Sequence, residues 1–157
     1  MTQPNKKRER KITSAAKAAA AVAPRPAGVL VVENDPDLQW TLARMLTVQG
    51  NRVVGTSSGE GALALIEQWP VSLVLVDEEL PGMDGLEVAK RLRESHPHIP
   101  VVLMTGEQTT DLQVAARLVG AFATLTKPFR REAIVELLAR VQETVDRASV
   151  PPPEPAE

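Results

Sequence analysis

From residue 28 to residue 147, short apolar runs alternate with stretches whose apolar residues recur three and four positions apart. The short runs are rich in Val, Leu and Ile or flanked by turn residues, and they predict strands over 28–32, 52–56, 71–76, 99–104 and 121–125. The periodic stretches predict helices over 36–49, 60–68, 85–95, 109–119 and 130–147. The first helix carries Leu38, Leu42, Met45 and Leu46 at core spacing, with Asp35 placed to cap it and Pro36 in its first turn. The last shows the same periodicity through Ile134, Leu137, Leu138 and Val141. The run at 52–56 alternates, as an edge strand does. Those at 28–32, 71–76 and 99–104 are almost continuously apolar, as parallel strands covered on both faces are. Five strand–helix units with short links predict an α/β fold, a doubly wound five-stranded parallel sheet.

Ligands of such sheets bind at the carboxyl ends of the central strands, so the residues closing each strand carry the chemistry. Glu33, Asn34 and Asp35 follow the first strand, and Asp77 follows the third, inside "LVLVDEELPGMDG". Thr105 follows the fourth in "VVLMTGE", and Lys127 the fifth in "ATLTKPF". The fold therefore gathers acids, one hydroxyl and one ammonium on a single rim. Carboxylates and carbonyl oxygens suit a hard divalent ion that keeps several waters, as Mg²⁺ does. Such an ion and Lys127 neutralise an incoming phosphoryl group, Thr105 hydrogen-bonds one of its oxygens, and Asp77 is the nucleophile that forms an acyl phosphate. Lys127 stands before Pro128, where a cis bond suits a tight turn.

Composition narrows the alternatives. The chain has no cysteine, which excludes disulfides and thiolate metal sites. His96 and His98, the only histidines, flank Pro97 and read as loop residues. Residues 1–27 carry seven Lys/Arg against one Glu, whereas 28–150 carry eleven against seventeen Asp/Glu. The acidic body argues against direct nucleic-acid binding by the folded domain. No apolar run approaches the roughly 18 residues that span a bilayer. The start of the chain mimics a signal peptide, but Lys17 interrupts its alanine-rich middle, and 1–27 reads as a disordered basic Ala/Pro-rich extension. The segment 148–157 reads as a disordered Pro-rich tail.

Four motifs in order, "VLVVEND", "LVLVDEELPGMDGLEV", "VVLMTG" and "TKPF", make residues 28–147 resemble a receiver domain of the two-component response regulators. The resemblance implies a flavodoxin-like (βα)5 fold with strand order 2-1-3-4-5 in a cytoplasmic protein. It implies phosphotransfer to Asp77 from a sensor histidine kinase or a phosphotransfer protein, with Mg²⁺ required. The metal would be held by Glu33 through water, by Asn34 and Asp77, and by the backbone carbonyl of Glu79. Thr105 and Lys127 would bind the phosphate, and Asp84 would shape the turn with Gly85. A conformational switch would be read by a downstream partner on the face of helix four, strand five and helix five. No output domain is legible after helix five, so a single-domain regulator is expected. It would work by partner binding or phosphate relay rather than as a turnover enzyme, apart from its own phosphotransfer and slow autodephosphorylation.

Two positions depart from the family pattern. Receivers commonly close the first strand with two consecutive acids, and here the second is Asn34, whose amide can coordinate Mg²⁺ but brings no charge. Weaker metal binding and slower phosphorylation are expected. Asp35 stands one residue too far along to substitute and is needed as the helix cap. The second departure concerns the switch positions, Thr105 and Thr124. Family members often carry Tyr or Phe three residues before the lysine, a ring that swings inward as the hydroxyl residue moves to the phosphate, and this chain has Thr124. Phe122, on the same strand face, lies farther from the rim. The switch is then either lost or worked through helix four alone. Trp40 lies off the apolar stripe of helix one and reads as a partly exposed residue. Three other functions compete: a degenerate receiver that binds partners without phosphate, recruitment of an acidic partner, nucleic acid or membrane by residues 1–27, and a Mg²⁺-dependent phosphohydrolase. The last lacks a second catalytic acid two residues after Asp77 other than Glu79.

Overall fold

The computed structural model describes residues 28–149; the predicted extension over 1–27 and all but the first two residues of the predicted tail lie outside the described residues. Ten elements alternate: β1 (Gly28–Val32), α1 (Pro36–Val48), β2 (Arg52–Thr56), α2 (Gly59–Gln68), β3 (Leu73–Asp77), α3 (Gly85–Ser95), β4 (Val101–Thr105), α4 (Thr110–Leu118), β5 (Ala123–Thr126) and α5 (Arg131–Ala148). All strand pairs are parallel, in the order β2-β1-β3-β4-β5. This is the doubly wound sheet expected from the alternation of runs and periodic stretches, with β2 at one edge.

Alternate strand residues feed two apolar layers, as a two-residue side-chain period requires. Leu30, Val32, Val74, Val76 and Leu103 pack against α2, α3 and α4, through Ile66, Leu92 and Ala116 among others. Val29, Val31, Leu75, Val102 and Met104 face α1 and α5, through Leu42, Leu46, Ile134 and Leu137. The central strands are buried on both faces, which is why their sequences show no polar alternation.

Strands three to five begin two residues later than their apolar runs and end one residue later. The ladder to β1 starts at the pair Val29–Leu73, and Pro100 has no N–H to give, so β4 starts at Val101. Pro100 instead accepts the Val74 N–H on its carbonyl at 3.0 Å. The shift matters for the site. Asp77 and Thr105 are the last residues of their strands rather than the first of the loops, and the sheet fixes their backbones.

Loop chemistry sets the helix starts. Asp35 caps α1, its Oδ1 accepting the N–H groups of Asp37 at 2.9 Å and Leu38 at 3.4 Å, with Pro36 at the first position. Asp84 caps α3 by accepting the Glu87 N–H at 2.9 Å, so it shapes the turn with Gly85 as expected. Gly85 donates its own N–H to the Glu78 carbonyl at 3.0 Å. A side chain on Gly85 would collide with the Asp77 carbonyl oxygen and carbon, so the start of α3 can approach the end of β3 this closely only without a Cβ. Gly85→Ala is therefore expected to destabilise the fold by about 1–3 kcal/mol through overpacking. Gly106→Ala, where a Cβ meets open space, should stay within about 0.5 kcal/mol. Urea denaturation of the two variants measures the difference.

Candidate functional site

The ends of β1, β3, β4 and β5 converge because the parallel register aligns them. Asp77 pairs with Met104 and Thr105 with Thr126. Backbone bonds continue just past the ladder: Glu33 N–H to the Thr56 carbonyl at 3.0 Å, Glu78 N–H to Met104 at 2.8 Å, and Lys127 N–H to Thr105 at 2.7 Å. Gln39 on α1 adds a brace, its amide donating to the Glu33 carbonyl at 3.1 Å and the Thr56 carbonyl at 2.9 Å. Gly55 makes room for this amide, since a Cβ there would come within 2.9 Å of it. These bonds fix the direction in which each rim side chain leaves the sheet.

Three of the predicted residues form one ionic cluster. The Lys127 ammonium, preceding a cis bond to Pro128, donates to Glu33 Oε2 at 2.8 Å and lies 3.0 Å from Asp77 Oδ2. Glu33 and Asp77 are buried, at 2% and 7% exposure, so each carboxylate depends on the shared cation. The other oxygens are also engaged: Glu33 Oε1 accepts the Asp35 N–H at 3.1 Å, and Asp77 Oδ1 accepts the Glu79 N–H at 3.1 Å. Burial pushes the Glu33 carboxyl above the usual glutamate value; the Lys127 hydrogen bond opposes that shift without reversing it. Burial works against the Lys127 charge, yet hydrogen bonds to Glu33 and Asp77 and their negative charge hold its pKa above the ordinary lysine value.

The predicted hydroxyl, Thr105, is 2% exposed and sits beside this cluster. It donates toward Glu78 Oε2 at 2.6 Å and the Glu107 carbonyl at 2.9 Å, and accepts the Glu107 N–H at 3.1 Å. Glu33, Asn34, Asp77, Glu79, Thr105 and Lys127 all line one open cavity of about 570 Å³, with Asp35, Glu78, Gly106, Glu107 and Thr109 completing its wall. Thr124 is not on this wall. Its hydroxyl pairs with the Gln108 side chain, which donates to it at 2.9 Å and accepts from it at 3.2 Å.

The expectation for Phe122 needs correcting. It lies before β5 begins, and its ring packs with the α1–α5 layer under the Arg140 guanidinium, 5.6 Å from the ring centroid. Phe122 precedes the β5 ladder, so the alternation that orients Thr124 does not extend to it. Trp40 is 64% exposed, its ring stacked with Arg44 at 5.1 Å.

Glu78, Gln108 and Gln39 were not singled out by the sequence. Glu78 was findable, because the pairing of Asp77 with Met104 sets the next residues, Glu78 and Thr105, side by side. Gln108 gave no signal, since its role depends on the path of the loop after β4.

The donor set suits a hard divalent cation. Glu33 and Asp77 converge within reach of the same ammonium, and Asn34 and Glu79 line the same cavity. Each carboxylate oxygen retains a lone pair beyond the bond it already accepts. Among the described residues no cluster of three or more His, Cys, Asp or Glu forms a metal cage. The remaining ligands would be amide and carbonyl oxygens and water, the pattern Mg²⁺ favours.

A model of the response regulator receiver domain matches residues 29–139. The chain belongs to this family. It is 40% identical over 114 residues to the response regulator protein FleR of Pseudomonas aeruginosa, covering 73% of this chain and 24% of that protein. It is 36% identical over 112 residues to the DNA-binding transcriptional regulator NtrC of Salmonella typhimurium, covering 71% and 24%. The chain thus spans about a quarter of the length of these curated relatives. Among solved structures, the chemotaxis protein CheY4 of Vibrio cholerae superposes with a TM-score of 0.71 at 27% identity, over 74% of this chain and 98% of that one. No helix among the described residues of this receiver domain is long and apolar enough to cross a membrane.

The ionic cluster makes a titration prediction. In wild type the Glu33 carboxyl should titrate above the ordinary glutamate value, and Lys127→Met should move it higher still, because the opposing hydrogen bond and positive charge are gone. A folded-state pKa raised above the unfolded one means stability present at acid pH and lost as pH rises through the folded value. Glu33→Gln should therefore flatten the fall in stability above about pH 4.5. Carboxyl carbon-13 NMR and denaturation across pH measure these effects.

Proposed function

We propose that this receiver domain accepts a phosphoryl group on Asp77 from the phosphohistidine of a sensor histidine kinase or phosphotransfer protein, and signals by phosphorylation-dependent partner binding. The observation carrying the reading is a buried Asp77 carboxylate 3.0 Å from the Lys127 ammonium, beside a buried hydroxyl, at the floor of an open cavity. An Asp77 oxygen attacks phosphorus, the new O–P bond forms as the P–N bond to the donor imidazole breaks, and the imidazole leaves with that electron pair. Lys127 holds one phosphoryl oxygen and Thr105 hydrogen-bonds another. Mg²⁺ bound by Glu33, Asn34, Asp77 and the Glu79 carbonyl would supply further positive charge against the phosphoryl oxygens. The reaction is the domain's own phosphotransfer followed by slow autodephosphorylation, not turnover of a small substrate.

The downstream partner is proposed to bind the face of α4, β5 and α5. Val114 and Leu118 on α4 are 53% and 82% exposed, and the Gln108–Thr124 bond links the loop before α4 to β5. The proposed compartment is the cytoplasm, where kinase phosphohistidines are supplied.

Incubation with acetyl phosphate and Mg²⁺ followed by intact-mass measurement should show one phosphoryl adduct in wild type and none in Asp77→Asn. An adduct that survives in Asp77→Asn, or none in wild type under forcing conditions, defeats the reading. Asn34→Asp should strengthen Mg²⁺ binding roughly tenfold by calorimetry. The gross Coulomb gain, about 4 kcal/mol per unit charge at 4 Å and an effective dielectric near 20, is offset in large part by desolvating the new carboxylate.

A second reading draws on Asn34 and Thr124: a receiver fold that binds its partner without phosphate. It predicts equal partner affinity for wild type and Asp77→Asn, where the first reading predicts loss on the variant.

A further inference from the structure

The residue after the proposed phosphoacceptor makes a contact that the phosphotransfer chemistry does not use. Glu78 Oε2 lies 2.6 Å from the Thr105 hydroxyl, the shortest hydrogen bond in the site. A threonine hydroxyl has a single proton to donate. The Glu107 carbonyl, at 2.9 Å, competes for it as a neutral and more distant acceptor, and charge-assisted O–H···O⁻ bonds are the shorter and stronger kind. Because Thr105 is 2% exposed, water offers little exchange for that bond. The Glu107 N–H, 3.1 Å from the same oxygen, occupies its acceptor side, which leaves the hydroxyl rotor a single preferred direction.

We infer that Glu78 is a positioning residue that keeps the Thr105 proton committed to its own carboxylate, and so holds the site in its unphosphorylated arrangement until a phosphoryl oxygen takes the proton over. The inference rests on the proposed role of Asp77 as phosphoacceptor. A hydroxyl that must serve a phosphoryl oxygen has to leave Glu78, so every phosphorylation event exchanges one charge-assisted hydrogen bond for another. The net stabilisation of Thr105 on the phosphoryl group is therefore reduced by whatever Glu78 supplied beforehand. Half-buried Glu78 lines the cavity with its side chain bonded to Thr105 rather than to the Lys127 cluster, so its removal leaves that cluster intact. Its carboxylate is set beside Thr105 by the register of β3 on β4, and the backbone of the same residue is tied to both Met104 and Gly85.

The test uses two readouts. Without any phosphodonor, the methyl resonance and side-chain couplings of Thr105 should report one rotamer in wild type, averaging in Glu78→Ala and a smaller change in Glu78→Gln, which keeps a neutral acceptor. With Mg²⁺ and sub-saturating acetyl phosphate, Glu78→Ala should raise the ratio of phosphorylated to free protein roughly fivefold, a discount on the ten-fold or larger value of a buried charge-assisted bond. In a Thr105→Ala background the same substitution should change that ratio by less than about twofold, since the partner of the bond is gone. An unchanged Thr105 resonance in Glu78→Ala overturns the inference, and so does an equal gain with and without the Thr105 hydroxyl, which would make Glu78 a bare charge. Absence of any adduct in wild type overturns the phosphoacceptor reading instead, and the donor-free Thr105 spectrum still decides the role of Glu78.

Discussion

The Lys127 ammonium lies between two buried carboxylates that come from strands far apart in sequence, and the rim of the sheet is organised around it. Glu33 and Asp77 would each be an uncompensated buried charge without Lys127, and removing one partner of such a cluster costs several kcal/mol. The arrangement demands that the ends of β1, β3 and β5 stay in register, because a one-residue slip would point Asp77 into an apolar layer. The apolar strands secure that register. Each buries alternate residues against different helices, so a slipped strand loses both layers at once. Core packing and ionic cluster therefore constrain the same geometry from opposite ends of the strands.

Burial and charge oppose each other at Glu33, and burial wins. The carboxyl is pushed up although an ammonium donates to it at 2.8 Å. A group in that condition gains from any further cation, which would replace the water that folding removed. The same logic does not extend to the outer wall. There Asn34, Glu79 and Glu107 stand nearer to solvent, which screens their charge and dipoles. The cavity thus has two buried carboxylates at its base and exposed acids on its wall, an arrangement that fits the proposed phosphotransfer.

The fold was legible because its signals are physical and local: continuous apolar runs for doubly covered strands, three-and-four spacing for helices, and Asp35 and Asp84 where caps are required. The strand-end rule then put Glu33, Asp77, Thr105 and Lys127 on one rim, and all four line one cavity. What stayed hidden depends on where loops and ladders stop. Pro100 delays β4, and pairing with β1 delays β3, neither of which an apolar count registers. Phe122 was set on the strand face of Thr124 by parity alone, yet parity holds only within a strand, and β5 begins one residue later. Gln108 pairs with Thr124 across a loop whose path no residue type announces.

Asn34 takes on a different meaning once the wall is counted. Six carboxylates, those of Glu33, Asp35, Asp77, Glu78, Glu79 and Glu107, surround the cavity with the single ammonium of Lys127. Attraction of a divalent cation into that field does not depend on one more charge at position 34, since wall acids act over distances comparable to the Debye length of about 8 Å at physiological ionic strength. What the amide would forfeit in the proposed metal site is direct ligation by a charged oxygen, a short-range term. On the proposed phosphotransfer, the same acidic field would oppose a dianionic phosphoryl group, and a cation entering with it would offset that repulsion. An amide at position 34 would weaken the cation's hold while leaving the repulsion of the wall in place.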